Sequence, residues 1–131
     1  MAGFSDYLED KVLDHVFGGS AYTAPGTLYV GLYTAAPSDS GGGTEVSGGS
    51  YARKSMAAMT VSGTSPTEAT NGAAVEFVTA TGSWGTVTHV GVFDAVTTGN
   101  LLGWAALTAS KTVSSGDVFR FDAGDLDITL A

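Results

Sequence analysis

The stretch Thr27-Leu28-Tyr29-Val30-Gly31-Leu32-Tyr33-Thr34 decides the fold class of this chain. Aliphatic side chains alternate in it with aromatic side chains and one glycine, a period of two that is typical of a β-strand. Aromatic and β-branched residues also favour the extended conformation. We therefore predict a strand over Thr27–Thr34 and β-structure in the rest of the chain that follows it.

Further short apolar runs lie between clusters of turn-forming residues and predict strands of ordinary length. They occupy Tyr51–Val61, Ala74–Ala80, Thr86–Phe93, Leu101–Thr108, Asp117–Phe121 and Leu126–Leu130, and Gly63–Gly72 is predicted to be a connection. No crossover helices remain to cover a parallel sheet. The sequence therefore predicts a mainly β fold, an antiparallel, jelly-roll-like β-sandwich in one domain over residues 1–131.

The strand predicted over Thr86–Phe93 is apolar on both faces. Alternation places Val87, His89 and Phe93 on one face, and Val90 and Val92 on the other. We expect a strand with this pattern to lie in the centre of its sheet.

One helix is predicted, from about Ser5 to Phe17. Ser5 or Asp6 is a suitable N-cap, and Gly18-Gly19 ends the helical pattern. Leu8, Val12 and Val16 recur every four residues and form an apolar stripe, which we expect to be buried on the sandwich or against a neighbouring subunit.

Composition excludes several classes of function. The chain has 131 residues, no cysteine and a net charge of −8, so disulfides and thiolate metal sites are excluded, and binding to nucleic acid or an anionic membrane is not expected. No apolar stretch approaches the length of a membrane span, and Met1-Ala2-Gly3-Phe4 lacks the features of a secretory signal.

No pattern of catalytic residues is present. His15 and His89 share no metal-ligand spacing, and Asp94 is too far along an extended strand to form a triad with His89. Asp125 and Asp127 alternate with inward-facing aliphatic residues, so these acids and the neighbouring Asp122 are predicted to be solvated. We predict no catalytic residue, no cofactor and no metal.

Two tryptophans raise the possibility of a carbohydrate-stacking surface, but packing in the core is the favoured interpretation. Trp104 lies between apolar residues of a predicted strand and is expected to be mostly buried. Trp84 lies among glycines and serine, which leaves its exposure open.

The segment Ala36–Ser50 is rich in glycine and is predicted to be a long mobile loop without a regular element. Next to it lie Tyr51, an aromatic anchor, and Arg53-Lys54, the only adjacent basic pair in an acidic chain. We predict that the loop with Tyr51, Arg53 and Lys54 forms part of a docking surface, with Leu8, Val12 and Val16 as a second interface.

Several segments, in the same order, resemble the small virion proteins of tailed bacteriophages that are often catalogued as phage tail fibre proteins. The resemblance covers most of the chain outside Met56–Thr70 and is carried by Leu13–Gly19, Tyr22–Pro25, Leu28–Pro37, Gly43–Arg53, His89–Ala95, Gly99–Leu107 and Gly116–Leu130.

This resemblance implies a non-enzymatic structural protein of the virion, with no catalytic residues to transfer. The short, unrepeated β-rich chain is similar to jelly-roll capsid cement proteins, so we expect a cement or decoration protein that bridges major capsid subunits. The alternative is a tail fibre or tail-tip component involved in host adsorption, and an esterase-like enzyme is less well supported than either. The expected partners are the major capsid protein or other virion proteins and further copies of this chain, as a dimer or trimer assembled in the host cytoplasm.

Overall fold

The fold is described from a computed structural model that covers residues 3–130. It contains one α-helix, a helical extension of that helix, and strands that pair antiparallel in every case. The helix α1 spans Asp6–Leu13, and the strands are β1 Gly3–Phe4, β2 Leu28–Ala35, β3 Thr44–Glu45, β4 Lys54–Met56, β5 Thr60–Ser62, β6 Thr67–Thr70, β7 Val75–Glu76, β8 Gly85–Phe93, β9 Leu101–Val113, β10 Arg120–Phe121 and β11 Asp127–Leu130.

The largest sheet has six strands. Its order is β1-β9-β8-β2-β3, and β4 also pairs with β2. The strand predicted from the alternation of residues 27–34 is β2, which is shifted by one residue and lies next to β8. β8 lies between β2 and β9, which confirms the prediction that this strand is central.

Two smaller sheets, β5-β6-β11 and β7-β10, complete the β-structure. The main core lies between them and one face of the large sheet, where Val30, Leu32 and Val87 are fully buried. The prediction of a mainly β, antiparallel fold with one N-terminal helix is confirmed, whereas the jelly-roll connectivity stays a prediction.

Some predicted boundaries were wrong for local reasons. The segment 63–72 contains β6, which forms because its backbone pairs with both β5 and β11. The strand predicted over 51–61 is two short strands, β4 and β5, in different sheets. The first described residues, Gly3 and Phe4, pair with Gly103 and Trp104 as an unpredicted edge strand.

The facing of β8 also differs from simple alternation. Its register with β9 passes from Val87↔Lys111 to His89↔Ala106, so residues 107–110 of β9 oppose a single residue of β8. This bulge changes the phase of the side chains. Val87 therefore lies in the same core as Val90, rather than on the face of Phe93 as predicted.

The structure places both tryptophans against the core, Trp84 more deeply than Trp104. Trp84 is buried, and its indole N–H donates to the carbonyl of Gly49 at 2.9 Å. Trp104 is only half-buried, because its indole N–H reaches outward to the Asp39 carboxylate. This partial exposure still leaves most of the Trp104 side chain covered, as predicted.

We expect Gly31→Ala to lower the free energy of unfolding by about 1–3 kcal/mol, because a methyl group there overpacks the sheet. Its Cβ would lie 2.8 Å from Cε1 of Phe93, 2.9 Å from Oε2 of Glu45 and 3.2 Å from the hydroxyl of Tyr51. Gly26→Ala is the matched control, since no atom lies within 4 Å of a Cβ at that position. Chemical denaturation checks both variants, and equal stabilities would contradict the prediction.

Candidate interaction surface

The two histidines occupy separate environments. The backbone N–H of Tyr22 donates to Nδ1 of His15 at 3.0 Å, which ties the segment after the helix back to it. Nδ1 of His89 lies 2.8 Å from the hydroxyl of Thr88, and its ring lies beside that of Trp104. Within residues 3–130 neither imidazole hydrogen-bonds to a carboxylate, so the triad geometry that the sequence analysis set aside is not formed there.

Among the charged side chains of residues 3–130, Arg53 makes the most hydrogen bonds. Its Nε and Nη2 each donate to one oxygen of Glu45 at 2.9 Å, a bidentate ion pair. Its Nη1 donates to the carbonyls of Ala95 and Thr98 at 2.9 and 2.8 Å. The guanidinium also lies over the Phe93 ring, 3.5 Å from its centroid. We call Arg53, Glu45, Tyr51 and Phe93 the Arg53 cluster.

Tyr51 completes the Arg53 cluster from the core side. Its hydroxyl donates to Oε2 of Glu45 at 2.7 Å and accepts the backbone N–H of Leu32 at 2.9 Å. Burial and the hydrogen bond to Glu45 raise the pKa of Tyr51 above its ordinary value. Burial lowers the pKa of Arg53, but the hydrogen bond and the charge of Glu45 outweigh this effect and raise it overall. The cluster is therefore a neutralised ion pair with a neutral phenol.

This geometry shows which of the predicted docking residues have a charge or ring available at the surface. The Arg53 side chain is 9% exposed and its charge is paired within the chain, so it does not present a free basic charge. Tyr51 packs against Trp84 and Phe77, whereas Lys54 is exposed on β4. The contact of Tyr51, Arg53 and Lys54 with another virion subunit stays a prediction, and Lys54 is the member of the basic pair whose charge is open to solvent.

The Gly-rich segment is more ordered than its composition predicts. It contains β3, which pairs with β2, and a turn closed by reciprocal backbone hydrogen bonds between Ser38 and Gly41. Pro37 and Val46 in the same segment are buried. The prediction that 36–50 lacks a regular element was wrong, because Glu45 fixes one part of it through Arg53 and Asp39 fixes another through Trp104.

The predicted apolar stripe of the helix divides into two parts. Ser5 caps the helix, accepting from the N–H of Leu8, and Leu8 and Val12 are half-buried. From Asp14 to Gly18 the helix widens into a π-helical turn, which removes the four-residue spacing from a single face. Val16 is accordingly 61% exposed, and its predicted burial on the sandwich was wrong.

The π-helical turn leaves an apolar surface without a cover from the described part of the chain. Leu13 is 59% exposed and Phe17 is 82% exposed, and both lie beside Val16. We call Leu13, Val16 and Phe17 the helix-end surface. Leu13 and Phe17 lie alongside the predicted stripe in the sequence pattern, but the predicted interface named Leu8, Val12 and Val16 of this helix and not these two residues.

Of the acids predicted to be solvated, Asp122 and Asp125 are exposed, whereas Asp127 is half-buried on β11. Asp122 accepts from Arg120 and Asp125 accepts from the backbone of Asp122, as expected for a solvated turn. A second group, Asp6, Glu9 and Asp39, is fully exposed at the start of the helix. Such exposed acids are common on protein surfaces and give no reason to revise the prediction of no metal.

Grooves on the surface of the described residues include two of similar volume. One, of about 470 Å³, lies between β9 and the segment 119–128, and the other, of about 500 Å³, lies between the start of the helix and the Gly-rich segment. Within residues 3–130 no buried side-chain nitrogen or oxygen lacks a hydrogen-bond partner. Neither groove therefore holds a buried polar side chain left unpaired for a ligand.

Comparison with known proteins gives one family. Residues 3–129 match the model of the family described as podophage GP4 fiber I protein gp80. The chain belongs to this family. The resemblance to structural proteins of tailed-phage virions, catalogued as fibre proteins, is thereby confirmed.

No curated protein matches the chain. Across residues 3–130, no helix of this fibre-family protein has the length and apolar character needed to cross a membrane.

We expect Arg53→Met to destabilise this fibre-family protein by about 3 kcal/mol, because it leaves the half-buried Glu45 carboxylate without its partner. Arg120→Met is the matched control. Arg120 also pairs with two carboxylates, but its side chain is 51% exposed, so solvent screens the pairs and we expect a clearly smaller loss. Denaturant midpoints of the two variants measure the difference. Equal losses would show that the Arg53 cluster adds nothing beyond a surface ion pair.

Alkaline pH is expected to weaken the fold through Tyr33. Burial and the charge of Glu45 raise the pKa of Tyr33 from 10.0 to about 12. In that interval the unfolded chain releases the phenolic proton and the folded chain retains it, so stability falls as pH rises through it. We expect the free energy of unfolding, measured from neutral pH to about pH 11, to fall less steeply for Tyr33→Phe than for the unsubstituted protein. Parallel curves would exclude this contribution.

Proposed function

We propose that this protein is a structural, non-enzymatic subunit of the fibre apparatus of a podophage virion. The match to the fiber I family over residues 3–129 is the observation that carries the proposal. It includes the Arg53 cluster, the helix-end surface and almost every described residue. The proposed role therefore belongs to the whole folded β-structure, which holds the interaction surfaces in place for assembly.

The internal chemistry supports a structural role. The most highly connected charged side chain, Arg53, is used to join β3, β8 and the turn at 94–100, and the two histidines hydrogen-bond to local partners. An enzyme of this size needs a nucleophile, base or metal in one concave site. In residues 3–130 the polar groups instead close hydrogen bonds that stabilise the fold.

Assembly with other proteins is the activity that follows from this role. We propose contacts with other virion proteins and with further copies of the chain, as a dimer or trimer. A subunit repeated in a particle needs only modest affinity at each contact, because neighbouring contacts raise the effective concentration. The docking residues predicted from the sequence, Leu8, Val12, Val16, Tyr51, Arg53 and Lys54, belong to this proposal.

Decoration of the head is the second candidate. It is favoured by the composition: a 131-residue chain of net charge −8 without a heptad or internal repeat differs from a long fibre shaft. A cement protein stabilises a shell by binding its assembled form better than free subunits. On that alternative, the same β-structure bridges major capsid subunits on the outer surface of the head.

Location and copy number distinguish the two candidates. We expect the protein to purify with tails after heads and tails are separated, at a few to a few dozen copies per particle. Quantitative mass spectrometry against the major capsid protein gives the ratio, and a reconstruction of the whole particle gives the position. Hundreds of copies confined to heads would reject the fibre assignment in favour of decoration.

A further inference from the structure

The helix-end surface of Leu13, Val16 and Phe17 has the properties of a protein-binding site. We propose that it docks onto another virion protein, into an apolar pocket bordered by lysine or arginine side chains. The inference rests on the proposed function as a virion subunit. It goes further by naming the attachment surface and the chemistry of the surface that receives it.

The first argument is the geometry of the three side chains. Val16 and Phe17 lie three and four residues after Leu13, and all three belong to the last turns of the helix and its π-helical extension. They are 59%, 61% and 82% exposed. Single exposed apolar residues are ordinary, but adjacent large ones on a projecting element are typical of an interface.

The second argument is that the segment following the helix does not cover the helix-end surface. Gly19 has a left-handed φ of 79° and ends the helix, and the chain then returns along another side. The N–H of Tyr22 bonds to His15, and the ring of Tyr22 packs edge-on against Tyr7 at 6.5 Å between centroids. The returning segment is thus anchored to Tyr7 and His15, while Leu13, Val16 and Phe17 stay exposed.

Charge selects the kind of partner. The helix and its π-helical turn carry four acidic side chains and one lysine, and the ammonium of Lys11 lies over the Tyr7 ring. Glu9, Asp10 and Asp14 are exposed on this acidic element. A second copy docked helix to helix would bring equal negative charges together, in a chain whose net charge is already −8. A basic border around an apolar pocket complements both features.

Particles produced without this protein provide the direct test. Purified, fluorescently labelled protein is added back, and bound copies per particle are counted over a range of concentrations and salt. We expect the double variant Val16→Ser, Phe17→Ser to bind at least tenfold more weakly, since it removes the aromatic anchor of the contact. Its melting temperature should be unchanged because both side chains are already exposed. Val61→Ser is the matched control. Val61 is 68% exposed and lies on β5 of the three-stranded sheet, not on the helix, so this variant should bind normally.

The charge argument has its own variant. Asp10→Lys should weaken binding at low salt and make the remaining binding less sensitive to added salt. Glu68→Lys, on β6, is the control of equal charge change and should bind normally. If Asp10→Lys binds as well as the unsubstituted protein at every salt concentration, the basic border is excluded.

The outcomes separate the two proposals. If the unsubstituted protein binds the particles but the Val16→Ser, Phe17→Ser variant binds equally well, the docking surface is wrong and the virion role stands. If the unsubstituted protein does not bind the particles at all, the virion role fails and the docking surface fails with it. Sedimentation of the free protein tests the other occupant: a dimer that the double variant converts to monomer would show that a second copy covers this surface.

Discussion

The bidentate pair between Arg53 and Glu45 is the interaction on which the arrangement of the loops depends. Its two members lie on opposite sides of the Gly48-Gly49 turn, and the same guanidinium binds two carbonyls of the turn at 94–100. Stacking on Phe93 removes water from one side of the charge. A partly buried ion pair is stable only when most of its hydrogen-bonding capacity is used, and here all three guanidinium nitrogens have acceptors.

This cluster requires space in the sheet beneath it. Gly31 of β2 provides that space, because a side chain at this position would meet Phe93, Glu45 and the Tyr51 hydroxyl. The glycine that interrupts the aliphatic pattern of β2 is thus explained by close packing rather than by a turn. Through Tyr51 the cluster also contacts the main core, where the Tyr51 ring packs on Trp84 and Phe77. The Gly-rich segment is consequently fixed to the large sheet.

In this fold the best-connected charged groups are paired within the chain, whereas large apolar side chains are exposed on the surface. The charged groups with the most hydrogen bonds are neutralised inside the chain, while large apolar side chains remain exposed at the end of the helix. These two observations agree with membership of a phage fibre family. The π-helical turn contributes to this exposed apolar surface, because Val16 lies within it and is exposed together with Phe17.

The sequence by itself determined the fold class, a helix that begins near Ser5 and ends before Gly19, the central position of β8 and the virion family, because these depend on local periodicity, capping chemistry and motif order. In the structure Ser5, and not Asp6, is the N-cap. Tertiary structure alone decided the rest. The bulge at 107–110 changed the facing of Val87, pairing with two neighbours made 67–70 a strand, and the contacts of Glu45 and Asp39 ordered a segment that its glycines predicted to be mobile. Arg53 looked like a free basic charge because its partner Glu45 is eight residues away, and only folding brings the two together with Phe93. Such long-range pairings leave no periodic signal in a single sequence.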